Sequence, residues 1–147
     1  MDIQQQKSLK VLVIGESCKD IFVYGSASRL CPEAPAPVFN PVYRVVNSGM
    51  AGNLSNNLLK LGLAHDLITN KNKEEIKKIR YVDERSNMIL IRVDEYDDKI
   101  ERFDISTVNF SSYDIVVISD YCKGFLNKED IRLIIEKSKK VFLDTKK

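Results

Sequence analysis

Two short apolar runs, VLVI at residues 11–14 and IVVI at 115–118, constrain this chain more than any other feature. Neither alternates between apolar and polar residues, so each predicts a strand buried on both faces rather than one side of an exposed sheet. A third run, VFLD at 141–144, follows the second after a helical segment in which Asn127 and Asp130 stand at capping-box spacing. That helix is expected to turn Ile131, Ile134 and Ile135 inward and to carry Lys137, Lys139 and Lys140 near its C-terminal end, where the helix dipole favours cations. Strand, helix, strand over this length is a βαβ unit with parallel pairing. The fold class is therefore α/β, a doubly wound sheet with helices on both faces.

The middle of the chain has a different texture. Residues 37–46, PVFNPVYRVV, contain two prolines that cannot donate to a ladder, which places this strand at an edge or in a projecting flap. Residues 49–61 predict a helix, with Ser48 or Asn47 as N-cap, Leu54, Leu58 and Leu61 on one face, and Gly62 at the C-terminal cap. A short strand is expected within 63–69. A polar turn and one helical turn pairing Glu74 with Lys78 follow. From residue 79 to about 103 the pattern predicts a small exposed antiparallel sheet. Two strands flank DERSN, and a third follows DEYDD.

Composition narrows the function. A hydrophobic fraction of 44% and a charged fraction of 30% are ordinary for a globular domain, and 147 residues suffice for one core. The formal net charge of +2, with basic and acidic residues interspersed, argues against nucleic acid or an anionic membrane as partner. No apolar stretch approaches the roughly 20 residues of a membrane span. The polar start, MDIQQQKSLK, lacks the apolar core of a secretory signal. Cys18, Cys31 and Cys122 lack metal-ligand spacing and read as free thiols, so a cytoplasmic setting is expected.

In open α/β sheets, ligands bind beyond the carboxyl ends of the strands. Three polar segments lie there: residues 15–20, 119–124 and 144–147. Only Gly15 follows the first strand, so the G-x-G-x-x-G dinucleotide fingerprint is absent. The single histidine, His65, shows no partner and reads as structural, as do Phe22 and Tyr24, expected in the core.

Four segments then carry a specific resemblance: VLVIGESCKDIFVYG (11–25), SRLCPEAPAPVF (28–39), NSGMAGNLSNNLLKLG (47–62) and YDIVVISDYCKGFL (113–126), the last followed by VFLDTKK. In this order they resemble the N-terminal half of PfkB (ribokinase-like) carbohydrate kinases. The Pro-Glu-Ala-Pro and Ser-Asp-Tyr-x-Lys-Gly stretches are most similar to the kinase domain of heptose-7-phosphate kinases and ADP-heptose synthases. The resemblance implies a ribokinase-like doubly wound sheet with a small β flap, formed by strands around 37–46 and 79–103. It implies an ATP- and Mg2+-dependent phosphoryl transfer to a sugar or sugar-phosphate hydroxyl.

By resemblance Asp20 is a sugar-hydroxyl ligand, Gly49 opens a helix whose backbone the sugar approaches, and Asn53 contacts the sugar directly. Glu16 stands where the family has an aspartate and is expected to reshape the pocket floor, and Met50 replaces the second glycine of a pair. Arg29 is either a substrate-phosphate ligand or an exposed arginine; Arg85 and Arg92 lie on the expected flap, where one of them faces a sugar phosphate or both are simply solvated. Asp120, Lys123, Asp144 and Lys146 are expected towards the phosphate and nucleotide end of the cleft.

The family's Gly-Ala-Gly-Asp segment, whose backbone forms an anion hole and whose aspartate is the presumed base, does not occur in residues 1–147. Nor do the adenine-binding region and one helix and strand usually found between Gly62 and Ile79. The chain is therefore expected to need a C-terminal half, supplied by a longer frame or a separate chain. The alternative is a non-catalytic sugar-binding or dimerisation domain; a homodimer through the flap fits both readings. The adenylyltransferase fused to some heptose kinases has no support in a chain with one histidine.

Overall fold

The computed structural model describes residues 9–146; residues 1–8, where most of the polar N-terminal start lies, and Lys147 are outside the described residues. Two four-stranded sheets make up the molecule. The main sheet has the order β4-β1-β7-β8 and is parallel throughout: β1 is Val11–Gly15, β4 Asp66–Ile68, β7 Ile115–Asp120 and β8 Val141–Thr145. The flap sheet has the order β3-β2-β5-β6, from Ser17–Leu30 (β2), Pro37–Met50 (β3), Lys77–Asp83 (β5) and Ile89–Glu95 (β6). Helices α1 (Ala51–Lys60) and α2 (Lys128–Lys137) complete the regular structure, with two short 3-10 turns between β6 and β7.

The apolar runs lie where their composition requires. Leu12, Val13 and Ile14 have no exposed surface, and β1 is the inner strand between β4 and β7. Side chains alternate along a strand. Leu12 and Ile14, in register with Val116 and Ile118, join Ile131 and Ile134 of α2 in one apolar cluster with Phe110, Phe125 and Leu126. Gly15 is in van der Waals range of Ala51 on α1, which therefore covers the other face. A side chain at Gly15 would also collide with the Ser119 carbonyl, so this close approach admits glycine alone. The capping box forms as expected: Asn127 Oδ1 accepts from the Asp130 amide at 2.7 Å, and the Asp130 carboxylate accepts from the Asn127 amide at 2.9 Å.

Several expectations are corrected. Strand β2 is 14 residues long and was not foreseen, because its mixture of charged, small and aromatic residues carries no clear period. Strand β5 runs parallel to β2, so the flap is a mixed sheet rather than an antiparallel one. No strand follows DEYDD; Ile100 and Phe103 there pack on the core cluster. Neither Ser48 nor Asn47 caps α1. Both are β3 ladder residues opposite Lys19 and Asp20, and the helix starts directly from the strand through Met50, at φ 56°. The orphan amide of Ala51 donates to the Glu16 carbonyl at 2.8 Å, which does the work of a cap.

The buried positions of α1 are Ala51, Gly52 and Ser55, while Leu61 is exposed, because small residues are what allow the helix to lie close over Gly15. Ile135 on α2 is also exposed. Glu74 pairs with Lys19 at 2.6 Å rather than with Lys78, since residues 71–75 form turns and not a helix. His65 has two partners, Ser55 Oγ at 2.7 Å and the Leu63 carbonyl at 3.0 Å. Phe22 and Tyr24 lie on the flap, Tyr24 stacked on Tyr43, and not in the core.

Prolines 37 and 41 fall on β3, an edge of the flap sheet, as their missing donors require, and Pro41 stands beside a register shift in the ladder.

Candidate functional site

The two sheets meet at the carboxyl ends of β1, β7 and β8, and a cleft of about 370 Å3 opens there. Its lining draws on both sheets: Asp20 from β2, Lys78 and Arg80 from β5, Arg92 from β6, then Met50 and Asn53 around the start of α1. Tyr121 and Lys123, from the loop after β7, and Lys146, after β8, close the other side.

Five of these side chains are cationic and one is a carboxylate. Sheet register makes that arrangement costly on its own. Arg80 on β5 stands directly opposite Arg92 on β6, and like charges at opposed positions repel. The chain holds them by distributing carboxylates. Asp20 accepts from Arg80 Nη1 at 2.8 Å, and the Arg80 guanidinium lies over the Phe22 ring at 5.0 Å. Arg92 forks onto Asp94 at 2.7 and 2.9 Å. Hydrogen bonding to Arg92 holds the Asp94 carboxyl below its ordinary range and raises Arg92 in turn.

Buried Lys78 bridges Asp94 at 3.4 Å and Asp97 at 2.6 Å, and Lys123 reaches the other oxygen of Asp97. Burial pushes the Asp97 carboxyl up, but the hydrogen bonds from Lys123 and Lys78 outweigh it, and the net direction is down. Among the described residues Lys146 has no ion-pair partner; it lies over the Tyr121 ring at 4.5 Å. Burial, followed by the charge of Asp144, raises the Tyr121 phenol. A cleft so lined attracts anions and presents a carboxylate and a carboxamide, Asp20 and Asn53, beside them.

The expected site residues separate into three groups. Asp20, Asn53, Lys123 and Lys146 come together in the cleft, and of the two flap arginines Arg92 faces it. Gly49 is a β3 strand residue opposite Cys18 rather than the opening of a helix. A Cβ there would lie 2.8 Å from Asp20 Oδ2, so its bareness is what makes room for that carboxylate.

Glu16 and Asp120 are buried and occupied by backbone. Glu16 accepts from the amides of Tyr121 and Lys123, both at 2.9 Å, and so shapes the loop that lines the cleft without lining it. Asp120 accepts from the Cys122 amide at 2.9 Å and the Thr145 hydroxyl at 2.8 Å, fastening the loop to β8.

Arg29 and Asp144 are outside the cleft lining. Arg29 is nine residues beyond Asp20 on β2, about 30 Å along an extended strand. Asp144 is exposed on β8. Sequence reasoning missed Lys78, Arg80, Asp97 and Tyr121. The signal that finds the first two is their register with Asp20 and Phe22 across a parallel pair, which no local pattern encodes.

A second cavity, about 250 Å3, lies against Phe103, Asp104 and Ile105, but its opposite charges, Arg102 and Asp130, already pair with each other at 3.1 Å.

No protein-family model matches the chain. Its fold is that of the ribokinase-like sugar kinases. It aligns with a carbohydrate kinase from Agrobacterium tumefaciens over 93% of its own length and 53% of that chain, with a TM-score of 0.56 and 12% identity. It aligns with phosphofructokinase-2 from Escherichia coli, solved with fructose-6-phosphate, over 93% of itself and 55% of that chain, with a TM-score of 0.50 and 11% identity. In sequence it is 31% identical over 165 residues to the bifunctional protein HldE of Rhodopseudomonas palustris, an alignment covering 89% of this chain and 34% of that protein. Its sequence relatives include the HldE proteins and its fold is that of ribokinase-like carbohydrate kinases, in agreement with the PfkB resemblance carried by the four segments. It spans about a third of the length of the curated relatives it matches.

Proposed function

We propose that this chain is the acceptor-binding part of an ATP-dependent sugar-phosphate kinase, one that transfers a phosphoryl group to a hydroxyl of a heptose phosphate or a similar sugar phosphate. The observation that carries this reading is the cleft itself, where Asp20 and Asn53 stand among five basic side chains. A neutral sugar would draw little from those cations, and nothing from Lys146, which has no ion-pair partner among the described residues. A phosphorylated one uses them: Lys78, Arg92, Lys123 and Lys146 meet the anionic end, while Asp20, oriented by Arg80, and Asn53 take hydroxyls. Phosphoryl transfer is largely positioning and charge stabilisation, and positioning the acceptor is what these residues do.

ATP with Mg2+ supplies the transferred group. Mg2+ is usually held by one or two carboxylates together with the nucleotide phosphates. Asp144, exposed at the carboxyl end of β8, fits that donor set. Asp120, committed to the Cys122 amide and the Thr145 hydroxyl, does not. The base and the adenine pocket belong to a C-terminal catalytic part, in the same frame or on a second chain. The edges β3 and β6 of the flap carry exposed Val42, Val45, Val46, Ile89 and Ile91, which suit pairing with a second copy.

The test is to join the chain to the coding sequence downstream of Lys147 and measure ADP release over a panel of sugars and sugar phosphates. Turnover restricted to phosphorylated acceptors, and reduced at least a hundredfold by Asp20→Asn, is the expected result. An extended protein that transfers phosphate to none of them ends this reading.

A further inference from the structure

One member of the charge network is not accounted for by balance alone. Asp97 lies in the turn after β6, outside regular structure, with a side chain only 16% exposed. One of its oxygens holds Lys78 at 2.6 Å and the other holds Lys123. Lys78 is on the flap sheet and Lys123 on the loop after β7 of the main sheet, so a single carboxylate bridges the two walls of the cleft. Its geometry is that of a small oxyanion clamped between two ammonium groups. Both lysines line the cleft, while Asp97 reaches them from outside its lining. Lys78 has a second acceptor in Asp94, so it is not stranded if Asp97 leaves.

We propose that Asp97 is a resident stand-in for the phosphate of the acceptor: the substrate's phosphate displaces it from Lys78 and Lys123, and the displacement sets the site's preference for dianionic over monoanionic or neutral ligands. This rests on the reading of the cleft as a sugar-phosphate site and adds how that site selects its ligand. The physical basis is a competition. A neutral sugar has nothing to offer two ammonium groups already satisfied by a carboxylate. A monoanion exchanges one charge for one. A phosphate dianion brings more charge and more acceptor oxygens to the same two donors. The resident carboxylate also keeps two ammonium groups from facing each other unscreened across the cleft.

Because Asp97 lies two residues beyond the end of β6, its release also loosens the tie between the flap and the loop at 121–123. Ligand binding is thereby coupled to the flap's freedom to move.

The experiment is isothermal titration of the full chain with inorganic phosphate at pH 8, with formate as the monoanion, for the native protein, Asp97→Asn and Asp97→Ser, each checked for folding by thermal melt. Removing the competitor is expected to tighten phosphate binding roughly tenfold, between the screened and surface-limit values for a unit charge a few ångströms away. It is expected to narrow the preference for phosphate over formate. In the native protein, phosphate is expected to move the Asp97 carboxyl resonance and bring its titration back up towards the ordinary carboxylate range. Native binding with no gain in either variant, and an Asp97 resonance indifferent to phosphate, overturns the stand-in role and leaves the sugar-phosphate reading intact. No phosphate binding by the native protein or either folded variant overturns both.

Discussion

The two sheets are held by different physics. The main sheet is apolar at its centre. Leu12, Val13, Ile14, Val116 and Ile118 are fully buried, and its inner strands are sealed by α1 and α2. The flap sheet has few buried apolar positions, Val23 and Val82 among them, and turns Val45, Val46, Ile89 and Ile91 to solvent at its edges. Its cohesion comes from long ladders, aromatic pairs such as Tyr24 with Tyr43 at 4.8 Å, and the ion pairs around Lys78 and Arg80. The contrast separates two tasks. Burial of apolar surface is strong and indifferent to ligand, which suits a scaffold. Charge networks are weaker and exchangeable, which suits a wall whose contacts can rearrange.

The most forceful way to break this comparison is to truncate the same residue type in each sheet. Ile118→Ala removes a fully buried side chain from the core cluster and is expected to cost about 3–4 kcal/mol in urea unfolding. Ile91→Ala on the flap, where the side chain is exposed, is expected to cost about 0.5 kcal/mol or less. Equal losses would mean that the flap face is covered in solution.

That outcome leads to the next test. Val45→Asp with Ile91→Asp puts charge on both flap edges. If the flap pairs with a second copy, sedimentation is expected to shift from dimer to monomer with little change in the unfolding of the main sheet. A native protein that already sediments as a monomer removes the homodimer from the proposal.

The smallest effect sharpens the boundary between the sheets, where Cys18 is buried beside Asp20 and Gly49. Burial, then the Asp20 charge, pushes the Cys18 thiol up from 9.0 to about 11. A thiol that keeps its proton longer when folded favours the folded state below its unfolded value. Above about pH 9 the unfolded chain gives up that proton while the folded one retains it, so stability falls as pH rises towards 11. Cys18→Ala is expected to flatten unfolding free energy against pH across this window. An unchanged slope would assign the alkaline loss to other groups.

Much of the scaffold was legible because its signals are local. An apolar run of four residues predicts a strand buried on both faces, and an Asn-x-x-Asp spacing announces a helix start, whatever the rest of the chain does. The failures share one cause. Ser48 looked like a cap because short polar residues before a helical pattern usually are; in the fold its backbone is committed to Lys19 across a ladder, and Glu16 supplies the missing acceptor through its carbonyl. Glu16 and Asp120 were placed at the pocket by the resemblance, and tertiary packing turned the Glu16 carboxylate onto the amides of Tyr121 and Lys123 and the Asp120 carboxylate onto the Cys122 amide and the Thr145 hydroxyl.

By itself the sequence determined the α/β class, the placement of prolines on an edge, the capping box that starts α2, and the family resemblance carried by four ordered segments. Only the tertiary structure decided the cleft. Lys78, Arg80, Arg92, Lys123 and Asp97 come from four different segments, and what makes them a site is the parallel register of β5 on β2 and the meeting of two sheets. Periodicity reports which face of an element is buried, a property of neighbouring residues. Charge complementarity in a cleft depends on distances between elements far apart in the chain, and those distances are set by packing alone.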